Sequence, residues 1–115
     1  MKFALMLSHR KKMSLPRLVP LIAEQPLSVG REPTNSIHLP DLWVSRIHCV
    51  FLQDADGVWV KDTSIAGLID ANAFERIRRQ DRPRKGDYDR LFPGEVIWLG
   101  DYQIQLVSAE PDTQA

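Results

Sequence analysis

Ser45 and His48 stand three residues apart in the stretch DLWVSRIHCVF, with Arg46 between them, and an earlier apolar run ends in Gly30-Arg31. A third polar stretch, Asp62-Thr63-Ser64, follows the run VWVK, and Gly67 lies just beyond it. Guanidinium, hydroxyl and backbone amides brought together would hold a phosphate dianion. The guanidinium gives forked, charge-assisted donation and the hydroxyl a short hydrogen bond. The chemistry of a catalyst is missing. The sequence has no P-loop, no nucleophile elbow and no paired carboxylates. His9, His38 and His48 are not spaced for zinc, and the single cysteine, Cys49, supplies neither a second thiolate nor an internal disulfide. No catalytic residue, metal or cofactor is expected, and Cys49 reads as a small core residue.

These polar residues must be carried by strands. Short apolar runs recur at FALML, RLVPLIA, LSVGR, SIHL, IHCVFL, GVWVKD, GLIDA, EVIWLG and YQIQLVS. Turn residues separate them at Pro16, Pro26, Pro33-Thr34-Asn35, Asp54 to Gly57, Pro93-Gly94 and Gly100-Asp101. In YQIQLVS, Tyr102, Ile104 and Leu106 face inward and Gln103 and Gln105 outward. Many short strands at this spacing predict an all-β sandwich or barrel. In a sandwich alternate loops share one end, so the three polar stretches can converge there. Residues 71–80, ANAFERIRRQ, are the best helical candidate, though a strand fits them equally, and 80–90 reads as an exposed loop.

The chain of 115 residues suits one domain, expected over 1–109, with a flexible tail over 110–115. Fifteen basic residues balance fifteen acidic ones, which argues against nucleic acid or a membrane surface as partner. The N-terminal MKFALMLSHRKK is too short for a membrane span and lacks a signal peptide's order of features, so a cytoplasmic location is expected.

In order and spacing, VGR, IHLPD, VSRIH, VKDTS, LFPGEVIWLG and IQL resemble the forkhead-associated (FHA) domain from about Leu27 to Val107. The resemblance implies a β-sandwich of about eleven strands that binds phosphothreonine segments in signalling, with no enzymatic activity. It places Arg31 on the phosphopeptide, Ser45 on the phosphate and Arg46 beside them. Ser64, Ile65 and Ala66 would line the peptide, with His48 bracing the loops. Gly30 would let the chain turn before Arg31, and Gly67 supports the same site. A serine/threonine kinase, its substrate, or the protein's own tail phosphorylated at Thr113 would be the partner. From the residues alone, Ser45 fits a turn residue as well as a ligand.

One loop departs from the family pattern. Ser64-Ile65-Ala66-Gly67-Leu68 puts alanine where the family's asparagine holds the peptide backbone. The alternative function is therefore a phosphate-independent scaffold or self-association domain. Trp43 either packs under the recognition loop or projects as an anchor for a partner. The charged run from Glu75 to Arg90 is usually a solvated loop. As a partner surface it would present Arg78, Arg79 and Arg82.

Overall fold

The computed structural model describes residues 2–109. The expected tail and Thr113 lie outside them. The strand periodicity is borne out. Twelve strands form two six-stranded sheets with no α-helix among the described residues, and no helix there is long and apolar enough to cross a membrane. The strands are β1 (Phe3–His9), β2 (Arg17–Pro20), β3 (Leu27–Gly30), β4 (Ile37–His38), β5 (Cys49–Asp54) and β6 (Gly57–Asp62). They continue with β7 (Ile69–Asp70), β8 (Glu75–Arg76), β9 (Arg84–Lys85), β10 (Tyr88–Leu91), β11 (Val96–Leu99) and β12 (Tyr102–Ser108).

One sheet runs β2-β1-β12-β11-β7-β8 and the other β4-β3-β5-β6-β10-β9. Their inner faces meet in a core that includes Leu5, Val29, Ile37, Phe51, Val60, Leu68, Ile97, Ile104 and Leu106. Alternation along β5 and β12 puts Cys49 and Phe51, then Ile104 and Leu106, into that core. Cys49 is fully enclosed, and burial pushes its thiol well above the ordinary range, so it is an inert core side chain. β1 and β12 pair along their whole length, from Phe3 opposite Ser108 to His9 opposite Tyr102.

Two local expectations are corrected. Residues 71–80 form neither a helix nor one strand. A turn leads to β8 and then to a three-residue 3₁₀ turn, Ile77–Arg79, in which only Ile77 is buried. Residues 80–90 are not a structureless loop, since β9 and β10 form a hairpin against β6. Its periodicity is hidden because polar side chains provide the pairing. Asp89 is buried on β10 and takes its partner from Arg84 on β9.

Register fixes which loops share an end. Val29 pairs with Cys49, Cys49 with Asp62, Leu99 with Tyr102, and Tyr102 with His9. The segments 31–36, 39–48, 63–68, 100–101 and 10–16 therefore gather at one end of the sandwich.

Candidate functional site

Gly30 is the last residue of β3, directly before Arg31. Its role differs from the expected tight turn, because its φ is not in the left-handed region. It is needed for close approach. A Cβ there would lie 2.1 Å from the Arg46 carbonyl oxygen. That carbonyl accepts the Asn35 amide at 2.8 Å and the Glu32 N–H at 3.2 Å, so the first two loops are stitched at this point. Asn35 was not singled out from the sequence, where it reads as an ordinary turn residue.

Arg31 N–H donates to the Ser45 carbonyl at 3.0 Å, and Arg31 Nε to the Val44 carbonyl at 3.1 Å. The second bond orients the guanidinium, and among the described residues neither terminal nitrogen has a hydrogen-bond partner. Ser45 Oγ accepts the Ile65 N–H at 3.2 Å. Its own proton is thereby left to donate outward. The hydroxyl ties two loops together and still keeps a donor for a ligand. The side chain of Arg46 is exposed and makes no hydrogen bond among the described residues.

His48 is fully buried behind this surface. Its Nδ1 accepts the Ser45 N–H at 3.1 Å, so the ring proton resides on Nε2, which donates to the Gly67 carbonyl at 3.1 Å. The histidine spans the second and third loops from below. Burial lowers its pKa below the ordinary 6.5, against the opposing effects of the Gly67 bond and Asp62. A folded-state value below the unfolded one means that the unfolded chain binds the extra proton. The contribution to stability is complete above pH 6.5 and is lost progressively as pH falls from there through the lower folded-state value. Protonation would also set a new Nδ1–H against the Ser45 N–H. Melting temperatures recorded from pH 7.5 down to 5 are expected to fall, and His48→Gln to flatten that fall. An unchanged pH profile in the variant would remove His48 as its source.

The third loop is built around Asp62. Its Oδ1 accepts from the Ser64 N–H at 2.9 Å and the Ser64 hydroxyl at 2.6 Å, and its Oδ2 from the Leu68 N–H at 3.0 Å and Arg76 Nε at 2.9 Å. Burial works against the charge, yet these donors outweigh it and hold the carboxyl below the ordinary carboxylate range. Ser64 Oγ in turn accepts the Gly67 N–H at 2.7 Å. Arg76 completes the clamp by donating to the Ser64 carbonyl at 2.8 Å and the Ile65 carbonyl at 3.4 Å. Gly67 adopts φ +101°, and a Cβ there would sit 2.9 Å from Arg76 Cδ. Arg76 carried no signal in the sequence, since fourteen residues separate it from Asp62.

The structure thus brings together Gly30, Arg31, Ser45, Arg46, His48, Ser64, Ile65, Ala66 and Gly67. Ser64 is buried as a loop strut, while Ile65 projects, 93% exposed. Trp43 does not pack beneath the loop. It stands 76% exposed beside it. Arg78 is exposed and reaches the Asp62 carbonyl at 3.5 Å, and Arg79 is exposed. Arg82 is a correction to the expected partner surface. Its side chain is 8% exposed and is enclosed by Glu95, Asp70 and Gln80, so it offers nothing to a partner.

No curated protein matches the chain. Among solved structures it is similar to the FHA domain of the CT664 protein from Chlamydia trachomatis, at 21% identity and TM-score 0.76, with 96% of this chain and 100% of that one covered. It is similar to the MEK1 FHA domain in complex with a phosphothreonine peptide of HOP1, at 21% identity and TM-score 0.63, covering 92% and 97%. Mycobacterium tuberculosis EmbR in complex with a low-affinity phosphopeptide matches at 25% identity and TM-score 0.71, covering 96% of this chain and 26% of that one. The sequence pattern of the FHA domain matches residues 27–100. With two β-sheets whose loops gather at one end, the chain belongs to the FHA domain family.

Proposed function

We propose that this FHA domain is a non-enzymatic module that binds a phosphothreonine-bearing segment of a partner protein, a serine/threonine kinase or its substrate, in signalling. One observation carries the reading. Among the described residues, Arg31 is tethered through Nε with both terminal nitrogens unspent, and Ser45 accepts from Ile65 N–H with its own proton unspent. Two donors of the kind a phosphate requires are oriented before any ligand arrives, which lowers the ordering cost of binding. The neighbouring complexes with phosphothreonine and phosphopeptide ligands agree with it. Arg46 adds a cation at the rim.

Anisotropy titration with labelled peptides tests this, using one threonine peptide in phosphorylated and unphosphorylated forms. The phosphorylated form should saturate and the other should not. Arg31→Ala should weaken binding about 30- to 100-fold, the loss of charge-assisted bonds worth roughly 2–3 kcal/mol. Equal binding of the two peptides would refute the reading.

A second reading, a phosphate-independent scaffold or self-association domain, is favoured by Ile65, which projects 93% exposed next to Ala66 where the family carries its asparagine. Concentration-dependent dimerisation that is insensitive to phosphopeptide and lost in Ile65→Ser would support it.

A further inference from the structure

We infer that the surface beside the phosphate loops, centred on Trp43, docks an acidic stretch bearing one large apolar side chain in the same phosphorylated partner. The inference deepens the phosphothreonine reading and rests on it.

Leu42 and Trp43 are 88% and 76% exposed, while the adjoining Val44 is buried. Their exposure does not come from a loose loop. The Trp43 N–H donates to Asp41 Oδ1 at 2.9 Å and the Val44 N–H to the Asp41 carbonyl at 3.0 Å. Two consecutive large apolar side chains are thus held outward by an ordered backbone. Solvent-facing tryptophan on a fixed frame is the usual form of an interface anchor. Trp43 is one residue from the carbonyl that orients Arg31, so a ligand on Arg31 has Trp43 within reach of its flanking residues.

The far side of Trp43 is basic. The 100–101 turn lies against it, for a Cβ on Gly100 would sit 3.7 Å from Trp43 Cβ. That turn carries the β1–β2 loop. Arg10 N–H donates to the Asp101 carbonyl at 2.7 Å, and its guanidinium to the Gly100 carbonyl at 3.3 Å. Lys11 pairs with Asp101 at 3.2 Å, and Lys12 forms no ion pair among the described residues. Of the two nearby carboxylates, Asp101 is paired with Lys11, and Asp41 accepts the Trp43 N–H and keeps its charge. Three exposed cations, Arg10, Lys11 and Lys12, outnumber these two carboxylates, and the exposed Arg46 lies three residues from Trp43 on its other side in the chain. Charge complementarity therefore favours an acidic occupant.

His9, Asp41 and Asp101 place ligating atoms within 4.8 Å of one another at this junction. His9 Nδ1 accepts the Lys11 and Lys12 N–H groups at 3.1 and 3.0 Å, and the Lys11 ammonium occupies Asp101.

The test uses a peptide library with a central threonine and five randomised positions on each side, synthesised in phosphorylated and unphosphorylated forms. It is captured on the full chain, on Trp43→Ala and on Lys12→Glu. Phosphorylated sequences enriched in acidic residues and one large apolar residue are expected, with Trp43→Ala weakening the best of them about tenfold or more. Lys12→Glu should lose the acidic enrichment. If phosphopeptides are retained without that enrichment and Trp43→Ala selects the same pool, the docking surface is refuted and the phosphothreonine reading stands. If unphosphorylated acidic-apolar sequences bind equally well through Trp43, the surface stands and the phosphate reading falls. Retention of neither library refutes both. A concentration-dependent dimer abolished by Trp43→Ala would assign the surface to a second copy and overturn the proposal.

Discussion

Asp62→Ala is expected to destabilise the domain by about 3–5 kcal/mol, the range for removing one partner of a buried charged pair. The carboxylate is enclosed and takes four donors from Ser64, Leu68 and Arg76. Its removal leaves the Ser64 and Leu68 N–H groups and Arg76 Nε without an acceptor and takes away the counter-charge of the guanidinium, and each such buried donor costs about 1–3 kcal/mol. A domain of this size has roughly 5–15 kcal/mol in total, so a large share would be lost. Urea unfolding monitored by tryptophan fluorescence measures it. The double variant Asp62→Ala, Arg76→Met should recover part of the loss, because it also removes the stranded cation. A loss below about 1 kcal/mol would mean that water reaches these groups and that the loop does not depend on the carboxylate. The acid limb carries the same signature. The Asp62 carboxyl is held below its ordinary value, so its contribution is present above that value and disappears as pH falls beneath it.

The second large effect is expected at Arg82. Its Nη2 and Nη1 meet both oxygens of Glu95 at 2.7 and 2.8 Å. Nη2 also reaches Asp70 at 3.2 Å, Nη1 the Arg90 carbonyl at 2.9 Å, and Nε Gln80 at 2.6 Å. Burial opposes this guanidinium's charge, but Glu95 and Asp70 prevail and raise its pKa. Arg82→Ala strands two carboxylates near one another and should cost about 3 kcal/mol, toward the lower end for buried pairs because Glu95 retains some solvent. Phosphopeptide affinity of the folded fraction should not change, since the cluster lies toward the opposite end of the strands from Arg31. An affinity loss without a stability loss would instead restore Arg82 to a partner surface.

The two sites differ in how far the sequence discloses them. Alternation in β5 and β12 follows from one-sided burial, so Phe51, Ile104 and Leu106 could be assigned to the core from spacing alone. Gly-Arg, Ser-x-x-His and Asp-Thr-Ser are local signals, and strand register then brings them together. The Asp62–Arg76 and Arg82–Glu95 contacts are not local. No pattern in a mixed charge run says which carboxylate a given arginine will find, so 75–90 looks solvated when it is in fact cross-braced. Gly30 shows the same limit. Its identity is dictated by a carbonyl sixteen positions away, although its motif was visible.

The full-length pairing of β1 with β12 has a practical consequence for attachment. Phe3 lies opposite Ser108, and the Ala109 N–H donates to the Lys2 carbonyl at 2.9 Å, so both ends of the described chain leave side by side. They do so roughly 20 Å, six strand steps, from His9 and the recognition loops. Anything joined to either end, whether a tag, a surface linker or another polypeptide, starts from the pole opposite Arg31. The domain can be tethered by either or both ends and still present its binding end outward, like a plug held by its cable.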